Sequence, residues 1–240
     1  MSEIYTMTSR MLNQSKMMDT VSHNIANANT VGYKRQDITF QSVLAETQKT
    51  AENPMSFSTV GQKNVDFSSG DLKITNNPLD VSINGEGFFA VRRGEGTAYT
   101  KAGHFMLNQT GQLVTSTGEE VLGIDNQPID IPVGTSVNIT PQGEVKDLNG
   151  AIFGQIGIFE FDNTATLVPA GASTYVSPQE PKQNPDALLI KGSLEQSNVN
   201  AIQESVKMTE VSRAYQSAAK LIKTFEDLES KAITELYKVQ

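Results

Sequence analysis

Cysteine and tryptophan are both absent from the 240 residues, and histidine occurs only twice. Without cysteine there can be no disulfide, no thiolate nucleophile and no cysteine-ligated metal. The two histidines, His23 and His104, lie far apart, and a metal set needs several ligands at matched spacing. They read as surface or capping residues, and no cofactor is expected. Basic residues are scarce: 19 against 27 acidic ones, a net charge of -8. A basic stripe for phosphate contacts is therefore not expected, nor is nucleic acid as a partner. Apolar runs are short, as at Ala187–Ile190, and none approaches the roughly 20 residues that span a bilayer, so no membrane insertion is expected. The opening MSEIYTMTSRMLNQSKMMDT lacks a basic region followed by an apolar one and does not read as a cleavable signal peptide.

Catalytic signatures are missing as well. There is no HExxH, GxSxG or P-loop. The glycines of Gly94-Glu95-Gly96 and the pair Gly85 and Gly87 do not open a helix, as a phosphate cradle requires. They read as turns. Asp66, Asp71, Asp80 and Glu86 are scattered carboxylates. The two carboxylates of a glycosidase pair need not be close in sequence, but no tryptophan is present to form a sugar platform, and an enzyme is not expected.

What is present is an ordered layout. Ile4, Met11, Met18 and Ile25 recur at a spacing of seven. Met7, Val21 and Ala28 form a second such series, interrupted by Gln14. Together they make an apolar stripe on an N-terminal helix. Met17 adds to a methionine cluster suited to helix packing. Asn27, Asn29 and Gly32 are expected to end this helix, because Asn and Gly tolerate left-handed backbone. At the other end, Asn200 reads as an N-cap with Gln203 three residues on. Val211, Ala214, Ala218, Leu221, Phe225, Leu228 and Ala232 then form a second stripe, preceded by Ile202, Val206 and Thr209 in a shifted register.

Between about 76 and 195 short apolar runs alternate with Gly, Pro and Asn, the pattern of short strands joined by tight turns. Val81–Ile83 and Phe88–Val91 read as strands around the turn Asn84–Gly87. Phe105 and Leu107 lead into the turn Asn108–Gly111, and Leu113–Val114 returns. Ile129, Ile131 and Val133 alternate. Val137 and Ile139 precede the turn Pro141–Gly143, and Ile152 to Phe161 supplies two more strands. These imply an all-β sandwich or irregular barrel. Residues 31–75 are polar and weakly periodic, an extended arm with a short helix near Gln41–Lys49. A second linker, Ser177–Asp186, carries three prolines and is expected to be exposed. The expected fold is α+β: an N-terminal assembly helix (1–30), an extended arm (31–75), a β domain (76–195) and a C-terminal assembly helix (196–240), with the two amphipathic helices pairing as a coiled coil.

The run Asn24-Ile25-Ala26-Asn27-Ala28-Asn29-Thr30-Val31-Gly32-Tyr33-Lys34 resembles the N-terminal signature of flagellar rod and hook proteins. The segment from Asn77-Pro78-Leu79-Asp80 through Gly85-Glu86-Gly87-Phe88-Phe89 resembles the same family, as do Tyr99–Phe105, Gly111–Val114 and Leu194-Glu195-Gln196-Ser197-Asn198-Val199-Asn200. The length and the segments Phe67–Leu72 and Pro128–Pro132 favour a proximal-rod type, with a distal-rod type the alternative. The resemblance implies a structural subunit that leaves the cytoplasm by the flagellar type III export route and polymerises in the periplasm. It also implies that the partners are further copies and other proximal- and distal-rod proteins. The stripe residues named above would be the assembly contacts. A free-standing carbohydrate-binding or adhesion domain is the rival, which would need only the β surface.

Overall fold

The computed structural model describes residues 2–44, 56–94 and 96–238. It is α+β, with a helix at each end and β structure between them. Helix α1 spans Ser2–Ala26 and helix α2 spans Ala201–Lys238. At about 1.5 Å per residue α2 is about 57 Å long. The expected signals set both inner helix ends. After α1, the Thr30 N–H donates to the Asn27 carbonyl at 3.0 Å, and Gly32 adopts φ +67°. Before α2, the Asn200 Oδ1 accepts from the Ile202 and Gln203 N–H groups at 3.0 and 3.2 Å, satisfying two donors that the first turn leaves open.

The chain divides into two compact units. One holds 1–26, 36–64 and 200–240; the other holds 27–35 and 65–199. In the first, α1 packs against α2 and against the strand Gln36–Leu44, which pairs with Ser56–Val65 in a two-stranded sheet. The short helix expected near Gln41–Lys49 does not form at Gln41–Leu44, which end that strand; 45–49 lie outside the described residues. The β-branched and aromatic residues Ile38, Thr39, Phe40 and Val43 suit a strand better than a helix.

In the second unit a nine-stranded sheet is centred on Phe88–Arg93. This strand pairs antiparallel with Gly96–Thr100 along one edge, and with Glu120–Val121 and Ile158–Glu160 along the other. Its apolar residues do not alternate with polar ones because both faces are covered. Phe89 and Val91 join a core with Val81, Phe105, Leu113, Val121 and Ile156. Phe88 and Ala90 join a second core with Tyr99, Leu122 and Tyr175. Phe67 meets Phe88 and Tyr175 edge-to-face at 5.3 and 5.1 Å, the arrangement that ring quadrupoles favour.

The expected hairpin around Asn108–Gly111 is formed, with Phe105 opposite Thr115. So is the pair flanking Pro141–Gly143, Val137–Ile139 with Glu144–Asp147, which Ile152–Gln155 extends to three strands. The strands either side of Asn84–Gly87 do not pair with each other. Val81–Asn84 instead pairs with Leu188–Lys191, and Leu72–Ile74 with Ser193–Glu195. Val81 also lies close to Gly103: the Val81 N–H donates to the Gly103 carbonyl at 3.0 Å, and a Cβ on Gly103 would sit 1.7 Å from the Val81 oxygen. Only glycine fits there. In the linker Ser177–Asp186, Lys182–Gln183 pairs with Phe159–Glu160, and all three prolines stay at least partly exposed.

Candidate assembly interface

The helices cover only some of the residues that their apolar stripes mark out. On α1 the most buried residues are Asn13, Thr20, Val21 and Asn24, at 8, 7, 1 and 0% exposure. Of the expected stripe, Val21 is buried, while Met7, Met11, Met18 and Ile25 are only partly buried. Leu12 is 59% exposed. The buried line and the methionine stripe thus lie about a third of a turn apart at about 100° per residue. On α2 the covered line runs through Glu204, Met208, Val211, Tyr215, Ala218, Ile222 and Phe225, alternating steps of four and three. Val211, Ala218 and Phe225 lie on it as expected. Ala214, Leu221 and Leu228 do not: Ala214 is exposed, and Leu221 and Leu228 are 50 and 56% exposed. Ile202 and Val206 are exposed as well.

A polar buried line is stable only if its groups are satisfied. Asn24 meets that condition through a clamp. Its Nδ2 donates to the Gln36 carbonyl at 2.9 Å, and its Oδ1 accepts from the Gln36 N–H at 3.0 Å. The side chain thus pairs with a backbone residue as a neighbouring strand would. It fixes where the chain, having left α1, returns as the strand Gln36–Leu44. The Asn24 Nδ2 also reaches the buried Glu204 of α2, at 3.4 Å. Lys207 and Asp37 add an ion pair at 3.0 Å between α2 and that strand.

The rest of the signature lies in the other unit, where it forms a second polar hub. Lys34 is fully buried, its Nζ donating to Glu195 Oε1 at 2.6 Å and to the Ser68 carbonyl at 2.7 Å. The same carboxylate oxygen accepts from the Gly70 N–H at 3.0 Å, and the Glu195 carbonyl accepts from the Gly32 N–H at 2.9 Å. A Cβ on Gly32 would lie 2.3 Å from the Ala102 nitrogen. Asn198 repeats the device: its Oδ1 accepts from the Arg35 N–H at 2.8 Å, while its Nδ2 donates to the carbonyls of Asp66 and Ser68 at 2.9 and 3.2 Å. Hydrogen bonds from Ser68 lower the Asp66 pKa. Burial raises the pKa of Tyr175.

The remaining motif residues have local roles. Ala26 is exposed and Thr30 Oγ1 donates to Asn27 Oδ1 at 3.2 Å. Leu79 packs on the first core, and buried Asp80 meets His104 Nδ1 at 2.7 Å and Asn77 Nδ2 at 3.0 Å. Gly85 is exposed, whereas Gly87 is buried at φ +124°. Tyr33, Phe88, Phe89 and Val199 are buried. The Ser197 Oγ accepts from the Val199 N–H at 3.2 Å. Ile4 belongs to α1. Among the described residues no group of acidic residues and histidines could hold a metal ion, and no helix is long and apolar enough to cross a membrane. Lys34 and Glu195 both stand in the signature segments, but nothing local in the sequence marks them as a pair. The signal lay in a lysine beside the helix exit and an acid inside the last strand, positions where a charge has no local reason to be.

Known proteins carry the same segments. Three family profiles match: flagella basal body rod protein over 4–34, the flagellar hook protein FlgE/F/G D1 domain over 82–147, and the flagellar basal body rod FlgEFG protein C-terminal region over 190–235. The flagellar basal-body rod protein FlgF of Caulobacter vibrioides is 34% identical over 242 residues, 98% of either chain. The rod protein FlgG of Bacillus subtilis is 33% identical over 253 residues, 94% of this chain and 95% of that one. The chain belongs to the flagellar basal-body rod protein family. FlgF of Mesorhizobium japonicum is 29% identical over 237 residues, 97% of either chain. The two FlgF alignments cover 97 and 98% of this chain and the FlgG alignment 94%. As a rod-family member the chain is a structural protein of the flagellar basal body and serves motility.

The Lys34–Glu195 pair has a testable energetic signature. Lys34→Met leaves a buried carboxylate without its ammonium and is expected to cost about 3–5 kcal/mol. The double variant Lys34→Met/Glu195→Gln should recover a large part of that. Chemical denaturation of the two variants checks this, and a double variant as unstable as the single one contradicts it.

Proposed function

We propose that this protein is a rod subunit that polymerises helically through its terminal helices, in the proximal segment of the rod. The observation that supports this is the partial covering of the helix stripes. Met7, Met11, Met18 and Ile25 on α1 stay partly exposed, and Leu221 and Leu228 on α2 about half exposed or more. Apolar residues at helical spacing need a partner surface, and neighbouring subunits supply it. The helices pair as a coiled coil lining the export channel, the β domain forms an outer layer, and the hairpin region of the 31–75 arm braces neighbours. A heterologous contact of this kind does not close on itself and builds a filament, as a torque-bearing rod requires. The subunit reaches the periplasm by type III export, and its partners are copies of itself and other rod proteins. No enzymatic step is part of this function.

The match to FlgF relatives over 97 and 98% of this chain favours the proximal segment. The similar identity to FlgG supports the distal segment as a second reading. Deletion of the gene is expected to leave basal bodies without a rod beyond its innermost part; basal bodies that retain a proximal stub would place the subunit in the distal rod.

Leu221→Asp and Phe225→Asp place a charge on the helix stripe. Either is expected to abolish rod incorporation and swimming while the β-rich unit keeps its thermal unfolding transition. Swimming at the wild-type rate in both variants would contradict assembly through α2.

A further inference from the structure

The β-rich unit contains a cavity of about 410 Å³, a size ordinary for a small-molecule site. Lys101 lines it although the residue is only 4% exposed. The Lys101 Nζ donates to the Gly85 carbonyl at 3.2 Å and lies 5.3 Å from the centre of the Phe88 ring. An ammonium has three donors, and among the described residues Gly85 is the one acceptor it finds. The nearby Glu195 carboxylate is already held by the Lys34 Nζ and the Gly70 N–H. Burial depresses the Lys101 pKa, and the field of Glu195 opposes that shift.

The wall of the cavity has the opposite charge. Glu86, Glu160 and Asp162 line it together with Lys101. Asp162 is held by Lys182 at 2.8 Å and Glu160 by Asn184, while Glu86 is exposed to solvent. A bare anion would be repelled by these acids, and a bare cation would be repelled by Lys101. We propose that the cavity binds a small zwitterion, a free amino acid or a short peptide with both ends free. Its carboxylate takes the two spare Lys101 donors, its ammonium faces Glu86 and Glu160, and its aliphatic part lies against Phe67 and Phe161. This site uses residues of the β-rich unit alone and none of the helix residues proposed for assembly, so it stands or falls independently of rod assembly.

The test is a titration of the full-length monomer followed by NMR of the ¹³C-labelled lysine ε-methylenes. The probes are glycine, glycylglycine, glycylglycine amide, acetate and ethylammonium. Glycine or glycylglycine is expected to shift the Lys101 signal saturably, and the tighter of the two tells whether the ligand is a free amino acid or a peptide. The amide, acetate and ethylammonium each lose one charge partner and should bind about tenfold or more weakly, as expected for loss of a charged hydrogen bond. Glu86→Gln, at an exposed position, should weaken glycylglycine several-fold, and Lys101→Met should remove binding. Because Lys101→Met also alters the buried interior of the unit, the amide comparison on the unaltered protein decides the matter. No saturable shift with glycine or glycylglycine, or equal binding of the dipeptide and its amide, overturns the proposal.

Discussion

The buried ion pair of Lys34 and Glu195 fixes the β-rich unit at the two places where the chain leaves it for the helices. Removing two charges from water is costly, and the cost is offset only when every donor and acceptor is used. Here the Lys34 Nζ meets a carboxylate and a carbonyl, and the carboxylate also holds the Gly70 N–H. Residues 161 positions apart in sequence are thereby held in one register. Lys34 lies just before the strand Gln36–Leu44, and Glu195 lies shortly before α2. The Gly32 N–H on the Glu195 carbonyl and the Asn198 bonds to Arg35, Asp66 and Ser68 tie the same two crossings.

Within the helical unit, Asn24 has the corresponding role. By pairing with both backbone groups of Gln36 it sets the return of the chain, and by reaching Glu204 it sets α1 against α2. These polar contacts occupy the line where an isolated helix pair would place its apolar residues. The consequence is that the apolar stripe is displaced to the flank, where it is covered only in part. A protein that folds alone would use those side chains in its own core. A subunit that assembles gains by holding them back, since ordering a helix costs about 1–2 kcal/mol per residue in backbone entropy and needs burial to offset it.

Much of this was legible in the sequence. The α2 cap was readable because Asn200 and Gln203 act on their own neighbours, and the turns at Asn108–Gly111 and Pro141–Gly143 are local chemistry of the same kind. The buried lines of the helices were legible only in part, at Val21, Val211, Ala218 and Phe225. Periodicity counts apolar residues, and the lines pass through Asn13, Thr20, Asn24 and Glu204, whose burial depends on partners elsewhere in the chain. For the same reason Leu221 and Leu228 were assigned to a continuous stripe with Phe225, while the structure covers Met208, Tyr215 and Ile222 beside Val211 instead. The pairing of Val81–Asn84 with Leu188–Lys191, and the cavity at Lys101, depend on contacts between segments far apart in sequence, which no local pattern records.

The central claim is that the helix ends are completed only by neighbouring subunits. Hydrogen exchange of the isolated chain, compared with the same chain in purified rods, tests it most directly. The account predicts that amides of the Lys34–Glu195 hub, such as Gly32, Arg35 and Gly70, are strongly protected in both. The half of α2 beyond Leu221 should exchange rapidly in the isolated chain and slowly in the rod. Equal, strong protection of that half in the isolated chain would show that the helices need no neighbour, and would contradict the account.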